Sequence, residues 1–487
     1  MHPSPVGILL CVAILAFACW PTRSLFVGLI ASMVFGATAL ATIGSLGGSS
    51  PLIYTLFAGL VLATLPLRRH IRGDFGILFR YSYTAWVVCA LSIYSIIGAL
   101  LFPRLFAGQT TVFVASHTFG GVYEVPLGPV SGNLSQTGYF VIGGMTFLAL
   151  CVAFLQENSI EKVRLGFLLW CTLHIGFGFL DLLGKLVGVG DVLAFLRTAN
   201  YAMLTDTTQA GFARIAGAQS EASGFGGVSL AVLAFAFTYW RRTASRFALG
   251  LALVILALLV LSTSSTAYVG LAILCIPVAI STARSLFLRR LHTQEILLVA
   301  LGFAGLFLAL GLAVGDAKFF DPLARLMNEA IFDKANSASG QERSYWNYIS
   351  LKSFVDTWGL GVGIGSSRAS SWPVAVLSQL GAVGCAMLAW LVFDIARKPR
   401  RLQAALDARD AATVDSVRAC ALAGVVSGSL ISGTADPGLI FFISLAVITA
   451  SSIRISLERP APAGNWLANR PKLATAPMWR FAGDGQP

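Results

Sequence analysis

The sequence predicts an all-α, polytopic integral membrane protein with about 12–13 transmembrane helices and one long outer loop, residues 316–372, containing short helices. Three observations predict it. Of the 487 residues, 56% are hydrophobic and only 11% charged, with a mean hydropathy of +0.78, whereas a soluble chain carries about 25% charged residues. The apolar runs are ~17–23 residues long and do not alternate, so backbone groups in lipid are satisfied within helices and not in a closed barrel. The basic residues gather in alternate turns: about 24 of the 34 lysines and arginines fall on one side, which the positive-inside rule makes cytoplasmic. The N-terminus is then outside and the C-terminus inside. The net charge of +12 reflects this bias and attraction to anionic lipid, so nucleic acid is not implied.

The expected spans follow in order. Val6–Trp20 lacks a preceding basic region and a following A-x-A site, so it reads as a retained helix and not a cleaved signal. Leu25–Gly44 and Pro51–Leu67 follow, then the basic turn Arg68, Arg69, His70 and Arg72. Tyr83–Phe102 leads to a first outer loop, Arg104–Thr137, where Thr110–Ala115 has strand composition and the later glycines and prolines mark turns, which suggests a small hairpin. His117 there reads as a solvated histidine, and Asn133-Leu-Ser135 matches a glycosylation sequon. Gly138–Leu155 and Gly166–Val189 come next, the second carrying Asp181 and Lys185 on one face at i, i+4. Such a pair is either functional or a snorkelling structural pair.

A second outer loop, Asp191–Glu221, ends in Arg214-Ile-Ala-Gly-Ala-Gln-Ser-Glu221 before the helix Ser223–Trp240. Glu221 is placed either to cap that helix or to act in chemistry. Leu249–Leu261 and Tyr268–Ile280 flank the polar turn Ser262–Thr266, and Ile296–Val314 leads to the long loop. In that loop an interfacial helix is expected over Phe319–Ile331 and a second from Gln341, followed by the glycine-rich turn Gly359–Gly365. Pro373–Phe393 re-enters, a short helical stretch follows at Leu402–Ala408, and Ala421–Ser432 and Leu439–Ile453 form a last hairpin turned at Asp436-Pro-Gly. Residues 1–455 thus read as one membrane domain and 456–487 as a disordered cytoplasmic tail.

The eight cysteines lie in apolar runs without a C-x-x-C pair, which points to buried thiols and to neither a disulfide nor zinc. There is no Walker A motif, no G-x-G-x-x-G opening a strand–helix unit and no H-E-x-x-H, so neither cofactor nor metal is expected. What remains is a small set of arginines, carboxylates and aromatics in the outer loops. Arginine holds phosphate with two parallel hydrogen bonds. Tyr345, Trp346, Trp358 and Trp372 suit sugar faces or the interfacial belt.

On three features the chain resembles the superfamily of O-antigen ligases and O-antigen or exopolysaccharide polymerases, which are membrane glycosyltransferases. These are Arg214-x-x-Gly217-x-x-x-Glu221-x-Ser223 leading into a helix, the Ser262–Tyr268 turn, and a long outer loop. That loop holds Arg343, Trp346 and Gly361-x-Gly363-x-Gly365, and leads to a helix with Gln379-Leu-Gly381-x-x-Gly384. The resemblance spans about Arg214 to Phe393. It implies transfer of a glycan from a polyprenyl pyrophosphate to an acceptor hydroxyl, at the periplasmic face of a bacterial inner membrane and without metal or nucleotide. By position Arg214 and Arg343 match the arginines that hold the pyrophosphate. Ligases of this kind carry a histidine where this chain has Ser370-Ser-Trp-Pro, so its absence favours a polymerase of lipid-linked repeat units.

The residues complete that picture as candidates. Arg214, Glu221 and Arg343 form the catalytic set, with Glu221 as base; Arg368, Tyr345, Trp346 and Trp372 bind substrate. The expected partners are the polyprenyl-pyrophosphate-linked oligosaccharide, membrane lipids and other polysaccharide assembly proteins such as a chain-length regulator. The alternatives are a ligase acting on a final acceptor and a lipid-linked-sugar flippase. Against the flippase stand the lack of an inverted repeat and the scarcity of mid-membrane charge.

Overall fold

The computed structural model describes residues 2–458 except 21–23, 69, 116–120, 157–158, 202, 206, 210–211, 289–292, 316–336 and 398–404. His117, the helix expected over Phe319–Ile331, residues 402–404 of the stretch expected over Leu402–Ala408 and the tail from 459 onward lie outside the described residues. The fold is all-α, with fifteen α-helices among the described residues. They are α1 Pro5–Ala18, α2 Leu25–Ser32, α3 Ile53–Thr64, α4 Ile71–Tyr81, α5 Tyr83–Leu105, α6 Ser131–Gln156, α7 Ile160–Val187 and α8 Ala222–Thr243. There follow α9 Arg246–Leu261, α10 Ser265–Phe287, α11 Thr293–Gly315, α12 Ala338–Asp356, α13 Trp372–Ala396, α14 Ala408–Ile431 and α15 Leu439–Glu458. Among the described residues eight helices are long and apolar enough to cross a membrane, namely α5, α6, α7, α8, α10, α13, α14 and α15, and four shorter apolar helices accompany them. The chain is therefore a multi-pass membrane protein.

The core is built where small and aromatic side chains let helices approach closely. Helix α8 packs along α14, and α6 along α15. Phe167 of α7 stacks on Phe235 of α8 at 4.7 Å between ring centroids, and Phe140 of α6 meets Phe442 of α15 edge-on at 5.8 Å. At one end of the bundle the basic turns are paired: Arg241 with Glu295 at 2.8 Å and Arg242 with Asp415 at 2.6 Å. The opposite end carries every loop that builds the site.

Several boundaries differ from the sequence expectation. The apolar run from Leu25 is helical only to Ser32; the buried chain beyond it turns at Gly36 and pairs Ala41–Thr42 with His2–Pro3. Its backbone finds partners in the second loop instead of its own helix: Ala37 N donates to Ala218 O at 3.1 Å, and Ala199 N to Ala37 O at 3.1 Å. Helix α4 replaces part of the expected basic turn, because Ile71, Phe75, Leu78 and Phe79 recur on one face although the segment is too polar to read as a span. Helix α14 begins at Ala408, well before the expected Ala421. The expected hairpin forms, with β1 Thr111–Ala115 antiparallel to β2 Val122–Pro126. Asn133 is buried, donating from Nδ2 to Ile364 O at 2.8 Å and to Ser366 Oγ at 2.6 Å, so in this fold it is a structural amide closed to glycosylation.

Helix α13 is broken at Gly381, whose φ of 67° lies in the left-handed region. Into the break runs the segment Gly359–Gly365. Val362 N donates to Ser378 O at 2.8 Å, Gly363 N to Gln379 O at 3.0 Å and Ala382 N to Gly359 O at 2.8 Å. A Cβ at Gly381 would collide with the Leu360 carbonyl, and one at Gly363 with the Gly98 carbonyl of α5. The glycine pattern and the Gln379–Gly381 motif are thus two sides of one contact. Gln379 is fully buried; its Nε2 donates to Ser367 O at 2.8 Å and its Oε1 accepts from Ala435 N at 3.2 Å, tying the segment to the α14–α15 turn.

Candidate functional site

The second loop is fixed by a buried charge network. Asp181 of α7 has a fully buried side chain and accepts at Oδ2 from Lys185 Nζ at 3.0 Å, Ala216 N at 2.7 Å and Gly217 N at 3.0 Å. Arg197 lies 3.5 Å from its other oxygen and also pairs with Asp191. Lys185 donates further to Thr205 O at 3.0 Å and Arg214 O at 2.5 Å, and Arg197 to Gln219 O at 3.0 Å and Gly217 O at 2.5 Å. Every charge has an opposite partner, and the spare donors close on loop carbonyls. The i, i+4 pair therefore acts structurally: it holds the stretch that presents Arg214 and Glu221.

Glu221 occupies the N-cap position of α8, yet its side chain makes no cap bond. It accepts instead from Ser223 Oγ and lines a cavity of about 790 Å³. Arg214 and Arg368 both feel the Glu221 carboxylate and the Arg343 guanidinium. Burial is the first cause that lowers the pKa of each; Glu221 opposes that shift and Arg343 adds to it. Among the described residues none of the three guanidiniums forms an ion pair, and Arg214 Nε is buried without a hydrogen-bond partner. Three cations face one carboxylate, a balance that favours an anion.

Helix α12 presents Arg343, Trp346, Asn347 and Ser350 at i, i+3, i+4 and i+7, one face toward Arg368. The Arg368 guanidinium carbon is 5.7 Å from the Trp346 ring, and Ser370 N donates to Asn347 Oδ1 at 2.8 Å. Arg368 itself reaches the cavity. Tyr345 points away from this face, donating to Glu124 at 2.9 Å and packing on Phe113, and so docks the hairpin onto α12. Trp372 is buried, its indole N–H donating to Ala435 O at 3.1 Å, and does not line the cavity. Trp358 is 85% exposed, in keeping with the belt reading.

Of the sequence candidates, the structure gathers Arg214, Glu221, Arg343, Arg368 and Trp346, and sets Tyr345 and Trp372 in supporting contacts. Sequence reasoning missed Tyr54, Tyr139, Tyr201 and Asp436, which all line the same cavity, and Tyr268 of α10, which lies near Arg214. The Ser262–Tyr268 turn and the Asp436-Pro-Gly turn were visible as motifs, but nothing in the local sequence marks Tyr268 or Asp436 as part of a site. Among the described residues no group of three metal-ligating side chains occurs.

Comparison with protein-family models, with curated proteins and with solved structures finds no match to this chain.

Proposed function

We propose that this protein is a membrane glycosyltransferase that lengthens lipid-linked oligosaccharide repeat units at the periplasmic face of the inner membrane. The observation that carries the reading is the grouping of Arg214, Arg343 and Arg368, which make no ion pair among the described residues, near Glu221 beside a cavity large enough for sugar units. Breaking a sugar–pyrophosphate bond places negative charge on the leaving oxygen. Guanidiniums fixed beforehand stabilise that charge as it develops, and one such donor is worth about 10²–10³ in rate. Glu221 balances the charge of the cations. In this reading the N-terminus is periplasmic and the C-terminus cytoplasmic, the donor is a polyprenyl-pyrophosphate-linked glycan, and a chain-length regulator is a natural partner.

Arg214→Ala and Arg343→Ala should each abolish chain growth, and lysine should rescue poorly because it lacks the planar two-pronged donor. Mutant cells should accumulate single lipid-linked units on the outer leaflet. A flippase would leave them on the inner leaflet, and a ligase would leave long lipid-linked polymer. Purified protein given lipid-linked repeat units should lengthen them without added metal or nucleotide. Translocation across vesicles without lengthening would replace this reading with the transporter.

A further inference from the structure

The cavity carries a second group of polar side chains that the arginines do not account for. Tyr54 at the start of α3, Tyr139 in α6, Tyr201 in the second loop and Asp436 in the α14–α15 turn all line it. They are near neighbours: Tyr54 interacts electrostatically with Tyr201, Asp436 and Tyr139. Their hydrogen bonding is incomplete. Tyr139 Oη shares a bond of 2.7 Å with Ser49 Oγ, and Tyr201 donates to Gly36 O. Among the described residues the Tyr54 hydroxyl has no partner, and Asp436 accepts only at Oδ1, from Gly438 N at 2.9 Å. Gln136, on the same wall, has a buried Oε1 with no partner.

Such groups do not suit a phosphate. A carboxylate repels it, and no cation neighbours Tyr54 among the charges that act on it. They suit a neutral, hydroxyl-rich molecule, which needs donors and acceptors together and flat rings against its C–H faces. Burial pushes the Asp436 carboxyl up to about 6, the Gly438 N–H opposing the shift, so it can exchange a proton near neutral pH. Glu221, by contrast, is already held by Ser223 and faces the guanidiniums.

Resting on the glycosyltransferase reading above, we propose that Tyr54, Tyr139, Tyr201, Gln136 and Asp436 form the acceptor-saccharide subsite, with Asp436 receiving the proton of the attacking hydroxyl. The hydroxyl oxygen bonds to the donor's anomeric carbon. The bond from that carbon to the pyrophosphate oxygen breaks, and its electron pair leaves on the phosphate among the arginines. The hydroxyl proton passes to the Asp436 carboxylate.

The test uses the full chain in detergent with three probes. These are inorganic pyrophosphate, intact lipid-linked repeat units, and the lipid-free saccharide released from those units by mild acid. Asp436→Asn keeps the acceptor for Gly438 N–H, and Tyr54→Phe removes a hydroxyl without a partner, so both should fold and bind pyrophosphate as wild type does. Asp436→Asn should lower turnover by about 10²-fold or more, with Asp436→Glu recovering part of it. Tyr54→Phe should weaken saccharide binding by about tenfold. If the wild type lengthens its substrate and both variants keep wild-type turnover and saccharide affinity, the subsite is elsewhere and the glycosyltransferase reading stands. If the wild type binds pyrophosphate but neither lengthens the substrate nor binds the saccharide, the reading itself fails and this inference with it.

Discussion

Replacing Asp181 by Asn probes the network that positions the second loop. The side chain is fully buried, and its Lys185 and Arg197 partners are 8% and 2% exposed. Asn conserves volume but removes the charge, and its NH₂ must face an ammonium, a guanidinium or backbone N–H groups. Breaking a buried pair by losing one partner costs about 3–5 kcal/mol, because the remaining charge stays desolvated. Against a total stability of about 5–15 kcal/mol this is a large share. Unfolding in mixed micelles of rising SDS fraction, followed by tryptophan emission, should show the midpoint falling steeply. Protease cleavage within 205–219 should appear before global unfolding. Adding Lys185→Met should restore part of the loss, giving a coupling of about 0.5–3 kcal/mol. A wild-type midpoint for Asp181→Asn, with a double mutant that is merely additive, would refute the structural role and return the pair to the list of functional candidates.

Other outcomes follow from the same geometry. Glu221→Gln should lower turnover yet avoid the ~0.5–2 kcal/mol loss seen when a cap bond is removed, since none exists here; wild-type turnover would remove Glu221 from the site. Gly381→Ala should cost about 2–5 kcal/mol, combining left-handed strain with a collision at the Leu360 carbonyl, as read from the same SDS titration. Asp436 has its pKa raised from 3.8 to about 6, so the folded state binds this proton more tightly than the unfolded one. That contribution to stability is complete below pH 3.8 and is lost as pH rises through about 6; comparing wild type with Asp436→Asn across pH 4–7 isolates it. Arg343→Cys on a background lacking native cysteines should be labelled in intact cells, and labelling only after permeabilisation would reverse the proposed orientation.

Much of the scaffold was legible because lipid imposes one rule, backbone satisfied within helices, and long apolar runs obey it visibly. The rule misled at Leu25, where an equally apolar run leaves the helix at Ser32 because its backbone groups find partners far along the chain. It also passed over α4, whose helical face is clear but whose average polarity is too high. The gathering of Arg214, Glu221, Arg343 and Arg368 could be anticipated from motif order and from the common sidedness of their loops. The Asp181–Arg197 link and the tyrosine wall could not. Each joins segments brought together only by helix packing, and a single Tyr54 or Tyr201 in an apolar sequence carries no mark of its neighbours.

The glycine segment threaded into α13 bears on the order in which the chain matures. Its contacts reach back more than 200 positions: Gly363 lies against Gly98, and Asn133 holds Ile364 and Ser366 from 231 and 233 residues away. Closing such distant contacts is entropically costly and slow. Helices α5 and α6 are synthesised long before the glycine segment that packs against both of them. They must wait in the bilayer with that seam unfilled until residues 359–381 arrive. Completion of the site is therefore a late, post-insertion event, and a chain truncated before residue 359 would hold Arg214 and Glu221 with no Arg368 to face them.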